Sequence, residues 1–275
     1  MRNHLIKHGD GQAASGTPAG TGVDRVLICL QTLAAYPDGV GLDEMAKELG
    51  SPKSSTHRAL AALMRAELVQ QDEDRRYRLS LHLVRLALSF YESLDRPRLV
   101  QPVLARLAQM FGETAHYAEL DEGEVVYLGQ AVASGQRAQM TARIGTRMPA
   151  YCTSLGKAML AYRLRCGEEI TRFVELHGPL AKRTPNTLTS LNALSRELQA
   201  AQADGYALDR EESDVGITCI AFPIFLGGST PTAAISVSAL ASRTPLEILI
   251  ESADDIRDVI RTHLGEASLH GAAQA

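Results

Sequence analysis

The chain has 275 residues and a formal net charge of −4, with 45% hydrophobic and 22% charged residues, values of an ordinary soluble globular protein long enough for two domains. No apolar run approaches the roughly 18 residues of a membrane span, so no membrane partner is expected. Cys29, Cys152, Cys166 and Cys219 form no CxxC pair, which argues against structural disulfides or a zinc site and fits a reducing cytoplasm; no cofactor is expected.

Residues 1–21 are polar, rich in Gly, Ala, Ser and Thr, and lack the apolar core of a signal peptide, so a disordered tail is expected. Val23 to about Ala35 reads as a helix with Val26, Leu27, Leu30 and Leu33 on one stripe. Asp43 is placed to cap a second helix that carries Leu42, Met45, Ala46 and Leu49 and stops at Gly50. Ser51 is placed to cap a third, with Pro52 in its first position. That helix opens on Lys53, Ser54, Ser55, Thr56, His57 and Arg58, and its apolar face is Leu60, Leu63, Met64 and Leu68. Two short extended runs follow, around the acidic turn Asp72-Glu73-Asp74 and ending in Arg75-Arg76-Tyr77-Arg78-Leu79.

Helix, turn, polar-fronted helix and hairpin in that order make a winged helix-turn-helix, which lays one helix into the major groove of DNA. The candidate DNA contacts are Arg25, Lys53, Ser54, Ser55, Thr56, His57, Arg58, Arg75 and Arg76. The competing reading is a helical packing or protein-binding module. Residues 21–80 hold eight Lys/Arg and nine Asp/Glu, so DNA binding has to come from a local cationic face rather than from bulk charge. The domain is set at 22–80.

Leu81 to Leu94 is amphipathic through Leu83, Leu86, Ala87, Phe90 and Leu94, and stops before Pro97; it reads as a linker helix within 81–97. A helix from about Leu99 to Phe111 carries Pro102 in its first turn and ends at Gly112. TAHYAEL and EVVYLGQAV make a β-hairpin around Asp121-Glu122-Gly123, and AQMTAR is a further strand candidate. CTSLGKAMLAYRL reads as a helix capped at Thr153 or Ser154. Residues 189–203 form another, with Leu191, Leu194, Leu198 and Ala201 on one face and Gly205 closing it. GITCIAFPIF and TAAISVSA are strands joined at Gly227-Gly228, and one last helix spans about 246–264. The second domain, 98–265, is therefore α+β with a mainly antiparallel sheet, followed by a flexible tail at 266–275.

Ser236 and Ser238 lie two apart in a strand, so both hydroxyls share one face and can donate to a carboxylate; the alternative is a pair of solvated serines on an edge strand. Ser154, Leu155 and Gly156 open a helix, where free amides and the helix dipole favour an anion, or where Ser154 is a simple cap. Cys219 sits mid-strand among apolar residues, as buried inert cysteines do. Asp209 is placed to orient a ligand hydroxyl or a water, or is a lone surface carboxylate. Catalysis is not expected. CTSLGKA has Tyr151 where a phosphate loop needs its first Gly, and Ala158 where it needs Ser or Thr. Ser154 and Cys219 have no base evident in sequence, and only the fold decides whether His116 or His177 comes near. An enzyme acting on a small acid is the alternative class.

The chain resembles the isocitrate-lyase-regulator (IclR) family of bacterial transcription factors from residue 22 to about 264. The resemblance rests on SPKSSTHRALAAL, RRYRL, GETAHYAELDEGEVVYLGQ, YCTSLGKAMLA, GYALDREESDVGITCIAFPI and AAISVSA, in that order. It implies an N-terminal winged helix-turn-helix, a linker helix and a GAF-like α/β effector domain. It implies a homodimer or homotetramer on a palindromic operator of double-stranded DNA, responding to a small organic acid, keto or aromatic. It places effector contacts at Ser154, Leu155, Asp209, Cys219, Ser236 and Ser238, with Met140 and Met148 shaping the far wall.

Overall fold

The computed structural model describes residues 22–93, 95–133, 143–225 and 227–269. The chain divides into two compact units, the first ending at residue 94 and the second beginning at Asp95.

In the first unit, α1 (Gly22–Leu33), α2 (Leu42–Glu48) and α3 (Lys53–Arg65) precede a hairpin of β1 (Val69–Gln71) and β2 (Tyr77–Leu79), and α4 (Leu81–Ser93) closes the unit. Cys29, Leu33, Met45, Leu60, Leu63 and Tyr77 make its core. Val40 and Tyr77 exchange backbone hydrogen bonds of 2.8 and 2.9 Å, tying the hairpin to the segment before α2. Gly50 takes φ +54° at the α2–α3 turn, as its position predicts.

Both expected caps differ. Gly41 stands at the start of α2 and Asp43 lies inside its first turn, where it pairs with Lys53 at 2.7 Å. Pro52 precedes α3 rather than opening it, and the buried Ser51 hydroxyl has no partner among the described residues. Met64 is exposed rather than core, and so is Leu27 on α1, because three short helices have too little interior to cover every apolar position. Along α4, Leu81, Val84 and Leu88 on one side and Leu86 and Phe90 on the opposite side are exposed, Phe90 by 67%.

The second unit orders α5 (Asp95–Phe111), β3 (Thr114–Asp121), β4 (Glu124–Val132), β5 (Arg147–Pro149), α6 (Ser154–Arg163), α7 (Gly167–His177), α8 (Leu191–Asp204), β6 (Ala207–Arg210), β7 (Ile217–Ile224), β8 (Ala233–Leu240), α9 (Leu246–Glu251) and α10 (Ala253–Leu264). Its strands form one antiparallel sheet in the order β5-β4-β3-β8-β7-β6. Strand alternation splits the core into two layers. Tyr117, Ile220, Phe222, Ile235 and Val237 pack with α5, α9 and α10. Ala118, Ala221 and Ala234 pack with α6 and α8. Ser236 and Ser238 share the parity of Ala234 and so face the α6 side.

α5 starts at Asp95, so Pro102 lies inside it, not in its first turn, and the helix forgoes one bond to Arg98. The expected last helix is two helices, broken at Ser252, whose hydroxyl bonds back to the Ile248 carbonyl at 2.8 Å. Leu191 is more than a third exposed rather than core. The tail expected from 266 begins with a 3₁₀ turn, Glu266–Ser268, whose Ser268 carbonyl accepts from the Phe225 amide, and Leu269 joins the core. The AQMTAR strand candidate falls almost wholly outside the described residues.

Candidate functional site

A 3₁₀ turn, Ala150–Cys152, delivers the chain from β5 into α6. Thr153 is the cap: its Oγ1 accepts from the Gly156 amide at 3.1 Å, and its carbonyl accepts from Lys157. The amides of Ser154 and Leu155 have no acceptor among the described residues. Beneath this helix opening, between it and the sheet, lies a cavity of about 130 Å³. Ser154, Leu155, Asp209, Cys219, Ser236, Ser238 and Met148 all line it.

The inner wall is made of hydroxyls. Ser236 Oγ is buried without a hydrogen-bond partner among the described residues. Ser238 Oγ lies 3.3 Å from His116 Nδ1 and accepts from Cys219 Sγ at 3.2 Å. The Gln130 side-chain nitrogen lies 3.4 Å from His116 Nε2. Burial pushes the Cys219 thiol well up, away from a reactive thiolate.

Asp209 is buried and does more than line the cavity. Its Oδ1 accepts from the amides of Glu212 (2.7 Å) and Ser213 (3.4 Å), and its Oδ2 from the Ser213 hydroxyl at 2.6 Å. It is a structural anchor for the β6–β7 turn, not the lone surface carboxylate of the alternative reading. Burial raises its carboxyl above the usual carboxylate range, against the hydrogen bonds from Ser213 and the attraction of Lys157. Lys157, wholly buried in α6, bonds Glu212 at 2.5 Å and Glu197 at 3.0 Å. The β6–β7 turn is thereby held to α6 from below.

In the first unit, Lys53, Ser54, His57 and Arg58 are exposed on the front of α3, and Arg58 reaches Ser55 Oγ at 3.4 Å. Arg75 stands exposed at the hairpin tip with φ +59°. The first unit thus presents an exposed cationic helix front beside a hairpin, and the second holds a small polar cavity.

Two family models cover the chain: the IclR helix-turn-helix domain over residues 22–73 and the bacterial transcriptional regulator IclR C-terminal domain over residues 90–261. The chain belongs to the IclR family of bacterial transcriptional regulators. It is 32% identical over 247 residues to the HTH-type transcriptional repressor AllR of Salmonella typhimurium, covering 88% of this chain and 89% of that one. The crystal structure of Thermotoga maritima IclR aligns with a TM-score of 0.69 at 26% identity, over 88% of this chain and 98% of its own. An IclR homolog from Microbacterium hydrocarbonoxydans, complexed with 4-hydroxybenzoate, aligns with a TM-score of 0.70 at 25% identity, over 88% and 100%.

Three expected site residues of this IclR-family chain have other roles. Gly156 does not line the cavity. Its amide is used by Thr153, and any side chain there collides with the backbone of Ala150, so glycine is required for close packing. Thr56 is fully buried in α3 and its hydroxyl bonds back to the Pro52 carbonyl, which removes it from a DNA-facing surface. Arg76 sends its guanidinium to the Gly39 carbonyl at 2.6 and 3.2 Å, so it braces the wing. Arg25 is half-buried on α1, Ser55 is half-buried, and Met140 lies outside the described residues. His177 packs against Phe173, away from the cavity.

Sequence reasoning missed His116 as a wall residue, and also Tyr127, Thr146, Arg183, Ser213, Asp214 and Ile217. The signal for His116 was present: it precedes Tyr117 in β3 and stands opposite Ser236 in the register. The loop residue Arg183 has no periodicity to expose it.

Proposed function

We propose that the protein is an effector-responsive DNA-binding repressor that senses a small organic acid. The observation that carries this reading is the buried, unpartnered hydroxyl of Ser236, on a cavity wall shared with Ser238 and with the uncommitted amides of Ser154 and Leu155. Buried polar groups are rarely left unsatisfied, and hydroxyls and helix-start amides together can donate to an acceptor such as a carboxylate. The cavity of about 130 Å³ is close to the roughly 150 Å³ that admits benzene in an apolar protein interior. A compact acid fits, up to about one ring. The 4-hydroxybenzoate bound by the Microbacterium relative and the repressor name of AllR support the same class.

On DNA, the front of α3 enters the major groove with Ser54, His57 and Arg58 toward base edges, while Lys53 and Arg75 meet phosphates. The site is a palindrome read by a dimer, in the cytoplasm. The effector acts by binding one arrangement of the paired chains better than the other. The test is fluorescence anisotropy of a labelled operator, taken from DNA flanking the gene, with a panel of small acids. One acid should shift operator affinity, and it should raise the melting temperature of the free protein. Operator binding unaffected by every acid that stabilises the protein would refute effector control.

A further inference from the structure

We infer that the cavity takes a short dicarboxylate, one carboxylate on the inner serines and α6 amides and the second on Arg183. This rests on the proposed acid-sensing role of the same cavity and specifies its ligand class. Among the described residues, the charged ones lining the cavity are Arg183, Asp209 and Asp214. Asp209 is saturated by donors from Glu212 and Ser213, and Asp214 is also partnered. Arg183 is different. Among the described residues, its Nε donates to the Ser213 carbonyl at 3.2 Å, and its Nη2 reaches only the thioether of Met148, at 3.9 Å. A thioether is a weak acceptor, and guanidinium carries five N–H donors, so most of its capacity is uncommitted.

The guanidinium is also held in place. Ser213 and Met148 both line the cavity, so Arg183 spans from the β6–β7 turn to β5. It is exposed, whereas Ser236 is buried, so cation and hydroxyls mark the outer and inner ends of one site. The backbone beneath Arg183 is clasped: its amide and that of Thr184 donate to Thr187 Oγ1 at 3.1 and 2.8 Å. Thr184 Oγ1 donates to the Glu211 carbonyl at 2.6 Å, and Thr187 Oγ1 to that of Glu212 at 2.7 Å. A fixed planar fork at the mouth and neutral donors inside match a ligand with an anionic group at each end.

The experiment is isothermal calorimetry on the full-length protein at neutral pH with matched pairs: malonate against propionate, and succinate against butyrate. Wild type should favour a dicarboxylate over its partner by about 10- to 100-fold, the range for one charge-assisted hydrogen bond. Arg183→Gln should abolish that preference by weakening dicarboxylates far more than monocarboxylates, while Arg183→Lys should keep part of it. Because Arg183 is exposed and its Nε makes one hydrogen bond, to the Ser213 carbonyl, both variants should stay folded with at most a small drop in melting temperature. Equal loss for mono- and dicarboxylates in Arg183→Gln, or a wild-type preference for the monocarboxylates, overturns the assignment of Arg183 while leaving an acid-sensing cavity. Wild-type protein that binds neither class overturns the acid-sensing reading and the dicarboxylate with it.

Discussion

Ser236 and Asp209 share one cavity wall but differ in what their removal should do. Ser236→Ala removes an oxygen with no partner among the described residues, so stability should hold or rise slightly while acid binding weakens by about 1.5–3 kcal/mol, readable by calorimetry. Asp209→Asn disturbs three hydrogen bonds to the β6–β7 turn and should lower the melting temperature. Its pH dependence has a definite sign. The Asp209 carboxyl is raised above its unfolded value by burial, so its protonated form contributes stability below the usual carboxylate pKa, and that contribution fades as pH rises through the raised value. The melting advantage of wild type over Asp209→Asn should therefore shrink from acid to neutral pH; a growing advantage would contradict this. Gly156→Ala should cost about 1–3 kcal/mol in a denaturant titration, because α6 must move off Ala150. At this scale the sequence was informative where a strand period or a helix start fixed the side chain's direction, as for Ser236, Ser238, Ser154 and Leu155. It was silent on Arg183, whose position depends on hydrogen bonds from Thr184 and Thr187 to a turn more than twenty residues away in the chain.

Among elements, the proposed function gives DNA contact to the front of α3, while Arg76 supports the wing. Arg58→Ala should weaken operator binding by about 1–3 kcal/mol if it reads a base, with little change in melting. Arg76→Ala should do the reverse. It loses the brace to the Gly39 carbonyl and should lower stability by about 1 kcal/mol, with the operator defect following from a loosened wing. Melting and anisotropy on both variants check this split; an Arg76→Ala protein of unchanged stability would return that residue to phosphate contact. Thr56 shows why sequence alone blurred the two roles. A polar run at a helix start looks uniformly solvent-facing, yet one position in each turn points inward, and here Thr56 satisfies its hydroxyl on the Pro52 carbonyl. Long, strongly periodic elements such as α3, α8 and the β3–β4 hairpin were legible for the same physical reason that they are stable. Short ones were not: β6 has four residues, and α7 starts without a Ser, Thr, Asp or Asn cap. There Glu169 bonds the Cys166 amide at 3.2 Å instead. The break at Ser252 interrupts an apolar stripe that runs on through it, so periodicity alone could not show it.

For the whole molecule, the proposed palindromic operator requires paired chains, and the exposed apolar side chains on both sides of α4 are surface that pairing would cover. Light scattering should give at least a dimer at micromolar concentration, and Phe90→Asp should shift it toward monomer and weaken binding to a full palindrome; a strict monomer that binds the palindrome tightly would contradict this. The central claim is that one small acid, held on Ser236 and Ser238, controls operator affinity. The most direct measurement is operator anisotropy for wild type and for the Ser236→Ala/Ser238→Ala double variant, each with and without the acid that stabilises wild type. The account predicts that both proteins bind the operator equally without acid, and that only wild type changes affinity when acid is added. An undiminished acid response in the double variant would place the effector elsewhere and contradict the account.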